Sequence, residues 1–234
     1  MQKNRIDRIS EINKERVLTF SFNGKKMQGY QGDTLASALL ANDIKIVGRS
    51  FKYHRPRGIV ASGAEEPNAI FQVGLGAKTE AGLKATQVDL YDGLIATSKK
   101  GWPSINFDIG IINDLMSKAF GAGFYYKTFM YPAKFWKFYE FFLRKLSGFG
   151  SAPNQKDPDN YDHKNIHCDL LIVGAGPAGL MSALCSAQTG AKVVIVDEKD
   201  RFGGKLLSSS EKINNIPAPE WAKNTQAILE NSPN

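Results

Sequence analysis

The stretch Asp169 to Gly204, DLLIVGAGPAGLMSALCSAQTGAKVVIVDEKDRFGG, decides how the second half of the chain folds. Leu170 to Val173 is a short apolar run of the kind that forms a strand buried on both faces, and Gly174, Gly176 and Gly179 follow it as a G-x-G-x-x-G turn. In such a turn the first glycine allows the tight bend, the second lets the backbone approach a pyrophosphate, and the third lets the helix lie close to the strand. Pro177 suits a first helical turn, where its missing N–H costs nothing. The helix is expected from Ala178 to Thr189, with its positive end toward the phosphates. Gly190 ends it, and Val193 to Val196 reads as a second buried strand that delivers Asp197 and Glu198 at its tip. Asp197 follows Gly179 by 18 residues, where a carboxylate accepts hydrogen bonds from an adenosine ribose and repels a 2′-phosphate, so NAD or FAD is favoured over NADP. Gly203 and Gly204 form a second point of close approach. The residues expected to contact the dinucleotide are Gly174, Ala175, Gly176, Pro177, Ala178, Gly179, Asp197, Glu198, Lys199, Gly203 and Gly204.

Upstream of this stretch, Ser147 to Asn165 is rich in Pro, Asn, Asp and Gly and reads as a linker. Before it, from Trp102 to Phe149, aromatic residues crowd the chain: Phe124, Tyr125, Tyr126, Phe129, Tyr131, Phe135, Trp136, Phe138, Tyr139, Phe141 and Phe142. Phe135, Phe138, Tyr139, Phe142 and Leu146 share one helical face, while Lys134, Lys137 and Lys145 are left to water. Packing against another domain or subunit is the expected fate of this stripe, ahead of a membrane surface.

Near the amino terminus, Val17 to Phe22 alternates and meets Asn23-Gly24, a hairpin signal that predicts Lys25 to Tyr30 as the returning strand. Asp33 is placed as the N-cap of a short helix that ends near Asn42. A hairpin followed by a helix in GDTLASALL indicates a β-grasp fold, and FNGKKMQGYQGDTLASALLANDI resembles the opening of a plant-type [2Fe–2S] ferredoxin module. Such a cluster needs four ligands, normally thiolates. Ile44 to Val73 contains no cysteine, so a ferredoxin-like scaffold with no iron–sulfur cluster is expected. In that place Arg49, Lys52, His54, Arg55 and Arg57 surround Phe51 and Tyr53, offering forked donors to a phosphate; the alternative is a solvated loop or a salt-bridged contact involving Glu65 and Glu66. Strand-like pieces at Ala69 to Val73 and Thr86 to Leu90 complete the small domain.

The 234 residues, 42% of them hydrophobic, leave room for one large or two modest domains. A net charge of +7 suits anionic partners, for which nucleotides, acidic subunits and folates qualify as readily as nucleic acid. Cys168 and Cys185 are the only cysteines, which argues against a disulfide framework and for a reducing cytoplasm. The three histidines, His54, His163 and His167, lack structural-zinc spacing. No apolar run approaches the roughly 18 residues of a membrane span, and the amino terminus has no apolar signal core. No nucleophile, acid–base pair or metal constellation stands out, so neither a catalytic residue nor a metal ligand is expected in this chain.

Three blocks in order, FKYHRPRGI…SGAEEPNA, GWPSINFD…AGFYYKTFMYP and HCDLLIVGAGPAGL…VDEKDRFGG, resemble the amino-terminal part of the alpha subunit of heterotetrameric sarcosine oxidase. The resemblance implies an oxidoreductase acting on CH–NH donors, which demethylates sarcosine to glycine and forms hydrogen peroxide and 5,10-methylenetetrahydrofolate. It further implies NAD in the Rossmann unit of this chain, held by Gly174, Gly176, Gly179 and Asp197 or Glu198, with FAD and covalent FMN in the beta subunit or at its border with alpha. Beta, gamma and delta subunits are the implied partners, with sarcosine and tetrahydrofolate as small-molecule ligands, in a cytoplasmic complex. Neither a nucleic acid nor a membrane is expected as a partner. Family alpha subunits continue to a folate-binding domain, so the chain is expected to be a piece that is inactive alone. An FAD-binding subunit of a related amine, proline or opine dehydrogenase is the alternative. The expected organisation combines α/β and α+β parts. A cysteine-free ferredoxin-like β-grasp domain spans 1–100, an aromatic-rich helical connection and linker spans 101–166, and the start of a Rossmann-type dinucleotide-binding domain spans 167–234.

Overall fold

A computed structural model of the chain describes residues 4–5, 12–119, 123 and 131–233, and the chain divides into two units, Met1–Asp159 and Asn160–Asn234. Of the aromatic run, Phe124, Tyr125, Tyr126 and Phe129 lie outside the described residues.

In the first unit, strand β1 (Asn13–Phe22) turns at Asn23-Gly24 into β2 (Lys25–Gln31), with Phe20 opposite Met27 and Phe22 opposite Lys25. Asn23 at φ +50° and Gly24 at φ +79° supply the left-handed pair that a two-residue hairpin turn requires. Leu18, Phe20 and Phe22 point into the core, while Val17 is exposed. Helix α1 (Leu35–Ala41) adds Leu35, Ala38 and Leu39 to the same core, and the Phe22 and Phe71 rings meet at 4.9 Å between centroids. Its N-cap is Thr34, whose Oγ1 accepts a bond from Ser37 N at 3.2 Å, so the expected cap at Asp33 is displaced by one residue. Asp33 is instead buried and accepts from Tyr30 N at 2.9 Å, Ser37 Oγ at 2.7 Å and the Arg5 fork at 3.0 and 2.6 Å.

Strands β5 (Ile70–Val73), β6 (Glu80–Lys84) and β7 (Ile95–Thr97) complete a mixed five-stranded sheet in the order β2-β1-β7-β5-β6, in which only β1 and β7 run parallel. The strand expected at Thr86 to Leu90 is not one. The backbone of Ala85 and Val88 serves α1, because Ala36 N donates to Ala85 O at 2.9 Å and Leu35 N to Val88 O at 2.8 Å, satisfying first-turn amides that no helix can pair internally.

A two-residue hairpin, β3 (Gly48–Arg49) with β4 (Pro56–Arg57), frames the basic loop. The loop grips the segment that carries α2 (Ile112–Leu115). Arg49 is buried, and its guanidinium donates to the carbonyls of Ile105 at 2.8 Å, His54 at 3.1 Å and Asn106 at 3.2 Å. His54 Nδ1 lies 2.7 Å from Asp108 Oδ2, and Arg55 Nε donates to Asp114 Oδ1 at 2.8 Å. Arg49, His54 and Arg55 of the expected phosphate-binding set are thus engaged within the chain, while Arg57 is exposed. Of the two acids named for the alternative, a salt-bridged contact, Glu66 is turned inward. Glu66 is wholly buried and accepts four backbone N–H groups, from Val60, Ala61 and Asn68 at 2.8 Å each and Ala69 at 3.0 Å.

Burial pushes the Glu66 carboxyl up, but those four N–H donors outweigh it and hold the group below the ordinary carboxylate range. Asp108 follows the same pattern, with burial opposed by Trp102 N, His54 and Gly110 N. A carboxylate whose folded pKa is depressed stabilises the fold fully above its unfolded value, and that contribution disappears as pH falls through the folded one. The melting temperature of the first unit is therefore expected to drop as pH falls below about 4, and Asp108→Asn is expected to flatten part of that drop. Circular dichroism melts at stepped pH would show it, and parallel profiles for the two proteins would remove Asp108 from the account.

Helix α3 (Trp136–Ser147) is braced by the Arg144 fork on Glu140 one turn earlier, at 2.8 and 2.6 Å. Its Phe138 and Phe142 rings stack edge to face at 4.8 Å and stay exposed, as do Phe141 and Leu146. Among the described residues no helix is long and apolar enough to cross a membrane.

The second unit opens with β8 (Leu170–Val173), α4 (Pro177–Gln188) and β9 (Val193–Val196), continues through a hairpin of β10 (Lys212–Ile213) and β11 (Ile216–Pro217), and ends in α5 (Ala218–Glu230). The expected burial of both faces of its strands is not met. Val173 and Leu171 remain exposed, because the one crossover helix covers a single face of the two-stranded sheet.

Candidate functional site

Strands β8 and β9 pair in parallel, from Leu170 opposite Val193 to Val173 opposite Val196, so the glycine turn and the acidic tip emerge at the same end of the sheet. Gly174 adopts φ +100°, and its N–H donates to Val196 O at 2.7 Å, which fastens the turn to the neighbouring strand. Gly176 caps α4, with Pro177 in the first helical turn. The three glycines of the motif then differ in what demands them. A Cβ on Gly179 would collide with the Gly174 carbonyl oxygen and stand 3.3 Å from Ile172 Cγ2, so that position is dictated by packing. A Cβ on Gly176 would meet nothing within 4 Å. Open space therefore lies beside Gly176 at the start of α4, where the first N–H groups have no partner within the helix.

Asp197 closes the arrangement from the other strand. Its Oδ2 accepts from Ala175 N at 2.6 Å and its Oδ1 from Lys199 N at 2.9 Å, so one carboxylate ties the strand tip to the turn. Ala175 is wholly buried, and its carbonyl accepts from Gly203 N at 2.8 Å. Gly203 and Gly204 both have positive φ, and a Cβ on Gly204 would lie 3.1 Å from Gly176 Cα. All three expected groups, 174–179, 197–199 and 203–204, thus converge at one end of the sheet, with Pro177, Ala178 and Glu198 exposed there and Lys199 half-buried. Among the described residues no group of three or more His, Cys, Asp or Glu side chains is placed to hold a metal ion.

Two further segments support this site. The β10–β11 hairpin turns on Asn214 and Asn215, at φ +50° and +67°, and the INNI spelling is its signal, since asparagine tolerates the left-handed region. Helix α5 then buries Ala218, Ala222 and Thr225, and a Cβ on Gly203 would meet Ala222 Cβ at 3.0 Å, so this helix backs the second glycine pair.

Comparison with known proteins gives these units relatives. Residues 15–101 match the family model of a 2Fe-2S iron-sulfur cluster binding domain, and residues 169–226 match that of a FAD dependent oxidoreductase. The chain is 49% identical to sarcosine oxidase subunit alpha of Rhizobium meliloti, across 100% of this chain and 24% of that protein. It is 34% identical to the subunit of the same name from a Corynebacterium species, across 91% of this chain and 18% of that one. The crystal structure of L-proline dehydrogenase from P. horikoshii shares the fold at a TM-score of 0.50 and 19% identity, over 95% of this chain and 33% of its own. The chain spans about a quarter or less of the length of the sarcosine oxidase subunits it matches.

Two cofactor expectations are corrected by these matches. NAD is not supported for the glycine turn, because the segment that carries it, residues 169–226, matches a FAD dependent oxidoreductase. The physical reason is that the same turn and helix serve either dinucleotide. The expectation that set an iron–sulfur cofactor aside is corrected to a domain of iron–sulfur type, since residues 15–101 match a cluster-binding family. The residues present do not fit the thiolate set of such a centre, for both cysteines of the chain, Cys168 and Cys185, fall outside that span. Over its whole length the chain is a homologue of the amino-terminal part of sarcosine oxidase alpha subunits, built as an iron–sulfur-type ferredoxin-like domain followed by a FAD-oxidoreductase segment.

Proposed function

We propose that the chain is the amino-terminal part of an FAD-binding alpha subunit in a multi-subunit sarcosine oxidase, and that its second unit is the opening of a Rossmann-type domain. The observation that carries this reading is the convergence of Gly174–Gly179, Asp197 and Gly203–Gly204 around the open start of α4, within the segment that matches a FAD dependent oxidoreductase. The pyrophosphate rests against the backbone of Gly176 to Gly179, where helix amides and the helix dipole favour its charge. Gly204, close against Gly176, keeps the second wall of that cradle free of side chains. Asp197 acts as the positioning carboxylate, holding the turn through Ala175 N, and Glu198, the exposed acid beside it, takes the ribose hydroxyls. FAD bound there supplies the two-electron acceptor for oxidation of the substrate C–N unit.

For the whole complex the proposed reaction is the demethylation of sarcosine to glycine. Oxygen is reduced to hydrogen peroxide, the one-carbon unit passes to tetrahydrofolate, and beta, gamma and delta subunits are partners. The test uses Gly176→Val in the assembled enzyme. The space beside Gly176 lets the variant fold, yet the new side chain would fill the space proposed for the pyrophosphate. Flavin released on denaturation is expected to fall, with FAD bound at least about tenfold more weakly and the melting profile unchanged. Full flavin content in the folded variant would sink the site. A complex that oxidises proline or an opine in preference to sarcosine would instead transfer the reading to a related dehydrogenase.

A further inference from the structure

The loop that follows β4 bends around a single side chain. Glu66 Oε2 accepts from Val60 N and Ala61 N, both at 2.8 Å, and Oε1 accepts from Asn68 N at 2.8 Å and Ala69 N at 3.0 Å. The side chain is completely buried and is solvated by these four donors, with the Lys100 ammonium interacting with its charge. Ala61, Glu66 and Ala69 are separated by four and then two residues, the spacing of the first three cysteines in a plant-type [2Fe–2S] loop. From the neighbouring segment, Ala85 N donates to Ala69 O at 2.8 Å, and the buried Thr86 donates from Oγ1 to Gly63 O at 2.8 Å. A later part of the chain thereby closes on the loop, with Thr86 the side chain it brings there. Around an iron–sulfur centre, backbone N–H groups point at anionic sulfur. Here they point at a carboxylate.

We propose that residues 60–69 are an iron–sulfur-type pocket organised by its own side chain: the Glu66 carboxylate is the anion on which the loop amides close, and 61, 66, 69 and 86 are the ligand positions of that pocket. Glu66 is thus a positioning residue for the loop.

Glu66→Gln tests the first half. Glutamine keeps one acceptor oxygen, and its NH2 group must face one of the two pairs of N–H donors. Amide hydrogen exchange of either the Val60 and Ala61 pair or the Asn68 and Ala69 pair is expected to accelerate about tenfold or more, with the β1 amides unchanged. Native protection at all four amides would overturn the proposal. The second half is tested with a chain carrying A61C, E66C, A69C and T86C, supplied anaerobically with ferrous iron and sulfide. It is expected to take up about two irons per chain, gain visible absorption that bleaches on reduction, and recover protection at the loop amides. A variant that takes up no iron, whether folded beforehand or left unfolded by the treatment, would overturn the ligand positions.

Discussion

Gly179→Val is expected to leave the unit Asn160–Asn234 unfolded while the unit before it keeps its structure. The Cβ of any residue at 179 would collide with the carbonyl oxygen of Gly174, and both partners are main chain, so no side chain can swing aside. Gly174 cannot give way, because its φ of +100° and its bond to Val196 O at 2.7 Å fix it to β9. Relief requires α4 to lift off the sheet, which takes Leu180 and Ala183, the two side chains of that helix buried against it, out of the core. Overpacking and lost burial together cost about 3–5 kcal/mol, comparable to the whole stability of a unit this small. Hydrogen exchange resolved by segment would report it, as loss of protection across α4, β8 and β9 with β1 and β2 unchanged. A variant that melts with the native protein would mean the helix can slide without loss, and the packing argument would fail. The contrast with Gly176→Val is informative, since two glycines three residues apart should separate folding from binding.

What the sequence made legible is what local chemistry determines. Asn23-Gly24 between alternating runs specifies a hairpin, and an apolar run, three spaced glycines and a proline specify a strand, a turn and a helix start. Legibility stopped where the deciding partner is remote. Thr86 to Leu90 has better strand composition than Glu80–Lys84, which contains Gly82, yet its Val88 carbonyl serves α1 and the poorer segment enters the sheet. Glu66 sits in an AEE tripeptide that reads as solvated, and only the folded loop shows four amides closing on it. The choice between NAD and FAD was beyond the residues altogether, because Gly174, Gly176, Gly179 and an acid at the strand tip serve either one.

Arg49→Met is the change expected to damage the first unit most for its size. In the sequence Arg49 belongs to a row of cations that suggests a phosphate, but its three donors reach carbonyls at His54, Ile105 and Asn106, two of them more than fifty residues away. Methionine keeps the aliphatic length and removes only the donors, leaving three carbonyl oxygens to find water beside a buried apolar side chain. The expected loss is about 3 kcal/mol, at roughly 1 kcal/mol or slightly more for each abandoned acceptor. Its structural sign is release of the segment that carries Asp108 and α2, which would become open to proteolysis between Trp102 and Leu115. Arg55→Met supplies the control, because the Arg55 and Asp114 pair is solvent-exposed and screened, and its removal should change little. If the two variants unfold alike in denaturant, Arg49 is one more surface cation. If only Arg49→Met frees the segment, the basic loop is a clamp, and the charge that suggested a ligand is there to hold the chain to itself.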